Sequence, residues 1–203
     1  MNVARRSSNG GMPTLTPPGP AIEIGAALLD RARRGEQEAF AAVIRHYDPG
    51  LRTLAYRLLG DSDRMDDALQ EAYVKAFRAL PRFRGDSKLG TWLYRIAYNA
   101  CLDELKRSHR VVQLPLEEIA EPAGSWPDPG EAVAQRHDLV QALAALPPDE
   151  RAAVLLVDAQ GFDYKDAASV LGVPAGTVAS RLNRARAALR REVSHMEEGA
   201  SKA

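Results

Sequence analysis

The sequence predicts an all-α protein: two small helical domains joined by a flexible linker. Three observations predict it. Apolar residues recur at spacings of three, four and seven in two separate stretches, as they do on one face of a helix. No segment alternates convincingly with period two, so no strand is expected. Between the two stretches, residues 111–137 hold five acids, one arginine and the four prolines Pro115, Pro122, Pro127 and Pro129, a composition that keeps chain extended and solvated.

Residues 1–24 come first, and they read as a disordered tail. Arg5 and Arg6 are followed by Gly, Pro, Ser and Thr without an apolar core, so the stretch does not resemble a signal peptide. Met12 offers a second possible start. The first helical domain then spans 25–110. Its apolar residues are Leu28 and Leu29, then Phe40, Val43, Ile44 and Tyr47, then Leu51, Leu54, Leu58 and Leu59. Gly35, Asp48-Pro49-Gly50, Gly60 and Pro81 are expected to break it into short helices.

The second helical domain spans 138–193, with a short tail over 194–203. Leu139, Leu143 and Leu146 mark one helix, Pro147-Pro148 interrupts, and Val154, Leu155 and Val157 mark the next, closed by Gly161. Asp163 is placed to cap a helix running to Leu171, with Asp166 in the capping-box position. Gly172 ends that helix and Pro174 begins another. The pair reads as a helix-turn-helix with the tight turn LGVPAG at 171–176. At 100° per residue, Val178, Leu182, Ala185 and Leu189 fall within about 60° of one another and form the buried stripe.

Charge is distributed unevenly. The chain has 27 Lys and Arg against 27 Asp and Glu, yet Lys75 to Arg110 holds nine basic residues against three acidic ones. Residues 175–191 hold five arginines and no acid. Base mixed with aromatic residues suits single-stranded nucleic acid, and a helix of hydroxyls and guanidinium forks suits a major groove. A single cysteine allows no internal disulfide and fits a cytoplasmic setting. There is no run of 18 apolar residues to span a membrane. No phosphate-binding glycine loop or nucleophile with a paired base marks an enzyme. The four histidines lack ligand spacing, and no metal or other cofactor is expected.

Residues 63–107, DRMDDALQEAYVKAFRALPRFRGDSKLGTWLYRIAYNACLDELKR, resemble region 2 of bacterial sigma factors of the compact extracytoplasmic-function class. The matching residues are Asp67, Gln70, Glu71, Lys75, Phe77 and Ala79, then FRGDS at Phe83 to Ser87, then TWLYRIA at Thr91 to Ala97, Asn99 and Asp103. DYKDAASVLGVPAGTVASRLNRAR resembles region 4.2 of the same class, so two signatures stand in the right order on either side of the linker.

The resemblance implies a dissociable promoter-specificity subunit of RNA polymerase, with no catalytic residue and no small-molecule substrate. Asp67, Gln70 and Glu71 would dock on the clamp helices of the polymerase's largest subunit, and region 4 would meet the flap of the second subunit. Lys75, Ala79, Phe83, Arg84, Ser87, Lys88, Trp92 and Asn99 would take the non-template strand of the −10 element. Of these, Asn99, Phe83, Lys75 and Ala79 are placed to build a pocket for a flipped base. Thr177, Ser180, Arg181, Asn183 and Arg184 would read the −35 duplex. An anti-sigma factor, often membrane-bound in this class, is the expected inhibitor.

Two departures qualify the match. Trp92 stands without the adjacent aromatic that primary sigma factors use to wedge the duplex open, and Ala179 stands where the class often has Lys or Arg. Other readings stay open at this point. Trp92 is at core spacing, Cys101 suits a small core position, and the acids around Asp63 suit a helix N-terminus without any partner. An operator-binding regulator acting without polymerase is the alternative function.

Overall fold

The computed structural model describes residues 24–111 and 141–200, with side chains described over 24–107 and 141–192. Most of the expected N-terminal tail and the expected linker lie outside the described residues. Among the described residues there are helices and no strands.

Helix α1 is Ala26–Arg33 and α2 is Gln37–Leu59, with Gly35 between them at φ 86. Contrary to the expected break at Asp48-Pro49-Gly50, α2 runs straight through Pro49. A proline inside a helix costs about 3 kcal/mol. The same stretch buries Val43, Tyr47, Leu51 and Leu54, and two fully buried leucines alone offset that cost at about 1.5 to 3 kcal/mol each. Two bonds hold the turn: Thr53 Oγ1 donates to the Pro49 carbonyl at 2.8 Å, and the Tyr73 hydroxyl donates to Asp48 Oδ1 at 2.6 Å.

Helix α3, Ser62–Ala79, begins at Asp61, whose carboxylate accepts from the Arg64 amide at 2.8 Å. It tightens into a 3₁₀ turn, Leu80–Arg82, at Pro81. Helix α4, Leu89–Val111, packs against both α2 and α3. Leu51, Leu54, Leu58, Leu69 and Leu80 fill the centre.

After helical residues 141–145 comes α5, Pro148–Val154, which opens into a π-helical turn, Leu155–Ala159. Helix α6, Tyr164–Leu171, is capped by Asp163, which accepts from the Asp166 amide at 2.7 Å, and it ends at Gly172 with φ 66. Helix α7, Ala175–Ala200, follows. Its backbone stays helical over 194–200, which the sequence reading assigned to a tail. Val178, Leu182 and Ala185 are buried as the wheel predicts, and Leu189 packs at the edge of the core.

The two domains share one continuous core. The linker was expected to leave their relative angle unset, and by composition it has little means to set one. Instead, folded faces meet directly. Helix α6 packs on α4, and α5 with its π-helical turn packs on α2.

Candidate nucleic-acid interface

On α3, residues 67, 70, 71, 74 and 78 recur at the spacing of one helix face. Asp67, Gln70 and Arg78 are exposed, and Glu71 is half-buried. Between them sits Val74, 44% exposed, an apolar residue in the middle of a polar face that the sequence reading passed over. Periodicity hinted at it, because Val74 lies outside the stripe of Met65, Leu69, Ala72 and Ala76 that α3 buries.

Glu71 is not a free carboxylate. It accepts from Lys75 Nζ at 2.8 Å and from Arg107 Nη2 at 2.8 Å. The Lys75 bond, then the Arg107 bond, holds its carboxyl below the usual carboxylate range. Lys75 also lies 3.8 Å from Asp103 Oδ2, one turn beyond Asn99 on α4. Expected polymerase contact and expected DNA contact are therefore wired together through a single exposed lysine.

The wall behind the residues expected to meet the −10 element is aromatic. Phe83, only 8% exposed, meets Trp92 with ring centroids 5.2 Å apart at 45°. Arg33 of α1 donates to the Phe83 carbonyl, and its guanidinium lies 5.8 Å from the Phe83 ring centroid. Arg33 was absent from the sequence reading, since nothing in the pattern of α1 announces a contact 50 residues away. The loop then turns at Gly85, φ 80, a backbone region that favours glycine. Trp92, Ile96 and Asn99 share one stripe of α4, where Trp92 is half-buried and Asn99 exposed. Ala79, Arg84 and Lys88 are exposed, and Ser87 is half-buried.

Lys88 Nζ bonds Asp166 Oδ2 of α6 at 2.7 Å, and that bond raises the lysine's pKa. Cys101 is fully buried, and burial pushes its thiol up to about 12, which leaves it chemically quiet.

On α7, Ser180, Asn183 and Arg184 are exposed and Thr177 is half-buried. Ser180 Oγ donates to the Thr177 carbonyl at 2.9 Å. Three of the helix's arginines are met by carboxylates: Arg181 by Asp149 at 2.5 Å, Arg184 by Glu150 at 2.6 Å, and Arg186 by both oxygens of Asp158 at 3.0 and 2.5 Å. The Arg181 side chain is only 15% exposed, so it braces α7 against α5, whereas Arg184 at 62% stands in solvent.

Among the described residues no group of three His, Cys, Asp or Glu is placed to hold a metal ion. None of the helices there is long and apolar enough to cross a membrane.

Residues 43–111 match the family described as Sigma-70 region 2, and residues 136–189 match Sigma-70, region 4. The ECF RNA polymerase sigma factor SigM of Mycobacterium tuberculosis is 39% identical over 187 residues, which covers 89% of this chain and 93% of SigM. The chain belongs to the extracytoplasmic-function sigma factors of RNA polymerase. Its fold agrees with that assignment. The sigma factor RpoE, solved with the anti-sigma factor NepR from Bartonella quintana, superposes with a TM-score of 0.63 at 30% identity, covering 76% of this chain and 96% of that one. CnrH, solved with the cytosolic domain of CnrY, gives a TM-score of 0.63 at 25% identity, covering 83% and 96%. As a sigma factor the chain is a transcription initiation factor.

Proposed function

We propose that this sigma factor docks on core RNA polymerase through the exposed face of α3 and carries the enzyme to promoters whose −10 and −35 elements it reads with α4 and α7. The observation that carries the reading is the division of labour on region 2. Asp67, Gln70 and Val74 stand free on one helix, while the next helix offers Asn99 beside a packed aromatic wall. A carboxylate, an amide and one exposed valine are what a helical partner surface needs: polar register around a small apolar anchor.

On the −10 side, Asn99 supplies an amide to pair a base edge, Phe83 and Trp92 give the wall, and Lys75, Arg84, Ser87 and Lys88 meet the strand's phosphates. Ala79 leaves room at the end of α3. On the −35 side, exposed Ser180, Asn183 and Arg184 read the duplex, Arg184 after exchanging its Glu150 partner for DNA. Arg181, paired with Asp149, holds the helix in place for them. The protein works in the cytoplasm, beside its polymerase, and its inhibitor is an anti-sigma factor; the RpoE complex with NepR supports a partner of that kind.

The test is run-off transcription with core polymerase and one cognate promoter. Transcripts should depend on the chain. A Gln70→Ala, Glu71→Ala double variant loses the two Glu71 ion pairs, worth up to about 1 kcal/mol each, so it should still fold, yet fail to co-purify with core. Tight, sequence-specific promoter binding by the chain alone, with no gain from core, is the result that would replace this reading with an operator-binding regulator.

A further inference from the structure

One side chain reaches the aromatic wall from outside the segments that build it. Phe83 is held at three points: its amide donates to the Leu80 carbonyl at 3.0 Å, its ring lies on Trp92, and its carbonyl accepts from the Arg33 guanidinium, which also stands over the ring. Regular bonding resumes at the head of α4, where the Trp92 amide donates to the Lys88 carbonyl at 3.0 Å. In between, residues 84–87 make no hydrogen bond among the described residues. The entry to that loop is therefore set by whatever holds Phe83. Arg33 is itself braced, because α1 packs on α2 and on the 3₁₀ turn Leu80–Arg82. Ala32 beside it is buried, and Arg31 and Arg34 both reach Glu36 at the head of α2, at 2.7 and 3.5 Å. Helix α1 thus grips α2 with two arginines and the loop with a third.

We propose that Arg33 is a positioning residue for −10 recognition: α1 acts as a strut whose guanidinium fixes the Phe83 peptide and ring, a role that rests on the −10 reading given above. Asn99 is carried by α4, a regular helix, so the gap between its amide and the wall is set on the loop side, by Phe83. A pocket for an unstacked base needs that gap fixed. Arginine suits the task, since its planar fork donates from the edge while its charge stays within about 6 Å of a ring. The Arg33 side chain is 35% exposed, and its nearest carboxylate, that of Asp30, is 3.9 Å away. Its one hydrogen bond goes to the Phe83 carbonyl, so it shapes the pocket from behind without touching the strand. Losing it should blur the choice of one base and leave general affinity for the strand alone.

The experiment uses holoenzyme assembled from the full chain, and its probes are single-stranded −10 oligonucleotides carrying each base in turn at each position. Affinities are measured over a range of salt. Arg33→Gln should narrow the base preference at one position by about three- to tenfold, part of the worth of a base-edge contact, and leave the other positions and the salt slope unchanged. Arg33→Lys keeps the charge and loses the fork, so it should narrow the same preference by less. Both variants should melt like the wild type and co-purify with core, because the side chain is partly exposed and lies off the α3 face. An unchanged preference in both variants overturns the proposal. So does an equal loss at every base with a salt slope lower by about 0.7, which would make Arg33 a phosphate contact in its own right. A wild-type preference lost in Asn99→Ala and kept in both Arg33 variants removes the strut alone, whereas no preference in the wild type removes the −10 reading and the strut with it.

Discussion

Behind the expected DNA contacts of region 2 stands a hydrophobic wall, Phe83 on Trp92 with the Arg33 guanidinium over the ring, whereas in region 4 carboxylates of α5 and the π-helical turn hold the arginines of α7. The difference matches the two targets. A base taken out of the stack needs a pocket of defined shape, and packing defines shape. A duplex approached from outside presents charge first, and arginines held in fixed forks meet phosphates and guanine edges already oriented. Region 2 should therefore be the more sensitive to side-chain volume, and region 4 the more sensitive to loss of the carboxylates that hold its arginines.

The sharpest way to break this comparison is at Phe83. Its side chain is almost wholly buried, and replacing such an aromatic with alanine costs about 3 to 5 kcal/mol. Phe83→Ala should show that loss in denaturant unfolding, and open-complex formation should fall with it. A near-neutral effect on stability would mean the wall is not packed and that region 2 also works by charge.

A second and smaller effect is expected at Asn99, which is exposed and supports no core. Asn99→Ala should leave the melting temperature unchanged while costing about 1 to 3 kcal/mol at a single −10 position, the worth of a lost base-edge contact. The measurement is open-complex formation across a set of promoters substituted base by base. An equal loss at every base would make Asn99 a backbone contact and move it to the electrostatic side of the comparison.

These differences bear on what the residues disclose before folding. The helix-turn-helix was legible because it is local: Asp163 capping α6, Gly172 closing it and the Val178, Leu182, Ala185 stripe all lie within one short stretch. The helices of region 2 were legible by the same periodicity, except at Pro49, where burial overrode the local rule. What stayed hidden was long-range. Arg33 reaches Phe83 across 50 residues, Arg184 reaches Glu150 across 34, and Tyr94 reaches Gln160 across 66. A pattern read along the chain sees that an arginine is on an outer face, and it does not see the carboxylate waiting there. The interdomain contact escaped for the same reason, since the linker's composition says only that the linker itself does not impose it.

The smallest effect, and the finest test of the electrostatic half, is at Glu150. Its carboxylate accepts from Arg184 Nε at 2.6 Å and stands in the first turn of α5, where the helix dipole favours a negative charge. Arg184 is largely in solvent, so the pair is worth at most about 1 kcal/mol, and Glu150→Gln should lower stability by no more than that. On DNA the sign reverses. With the carboxylate gone, Arg184 no longer has to exchange an acidic partner for a phosphate, and one negative charge is removed from the approach to the duplex. Holoenzyme affinity for a −35 duplex should rise a few-fold at low salt. If Arg184 gains one phosphate, the slope of log affinity against log salt should steepen by about 0.9. The same titration on a −10 single strand should not change, because Glu150 faces α7 and not region 2's aromatic wall. An unchanged slope on the −35 duplex would show that Glu150 does not restrain Arg184, and that the recognition helix, like region 2, is governed by how it packs.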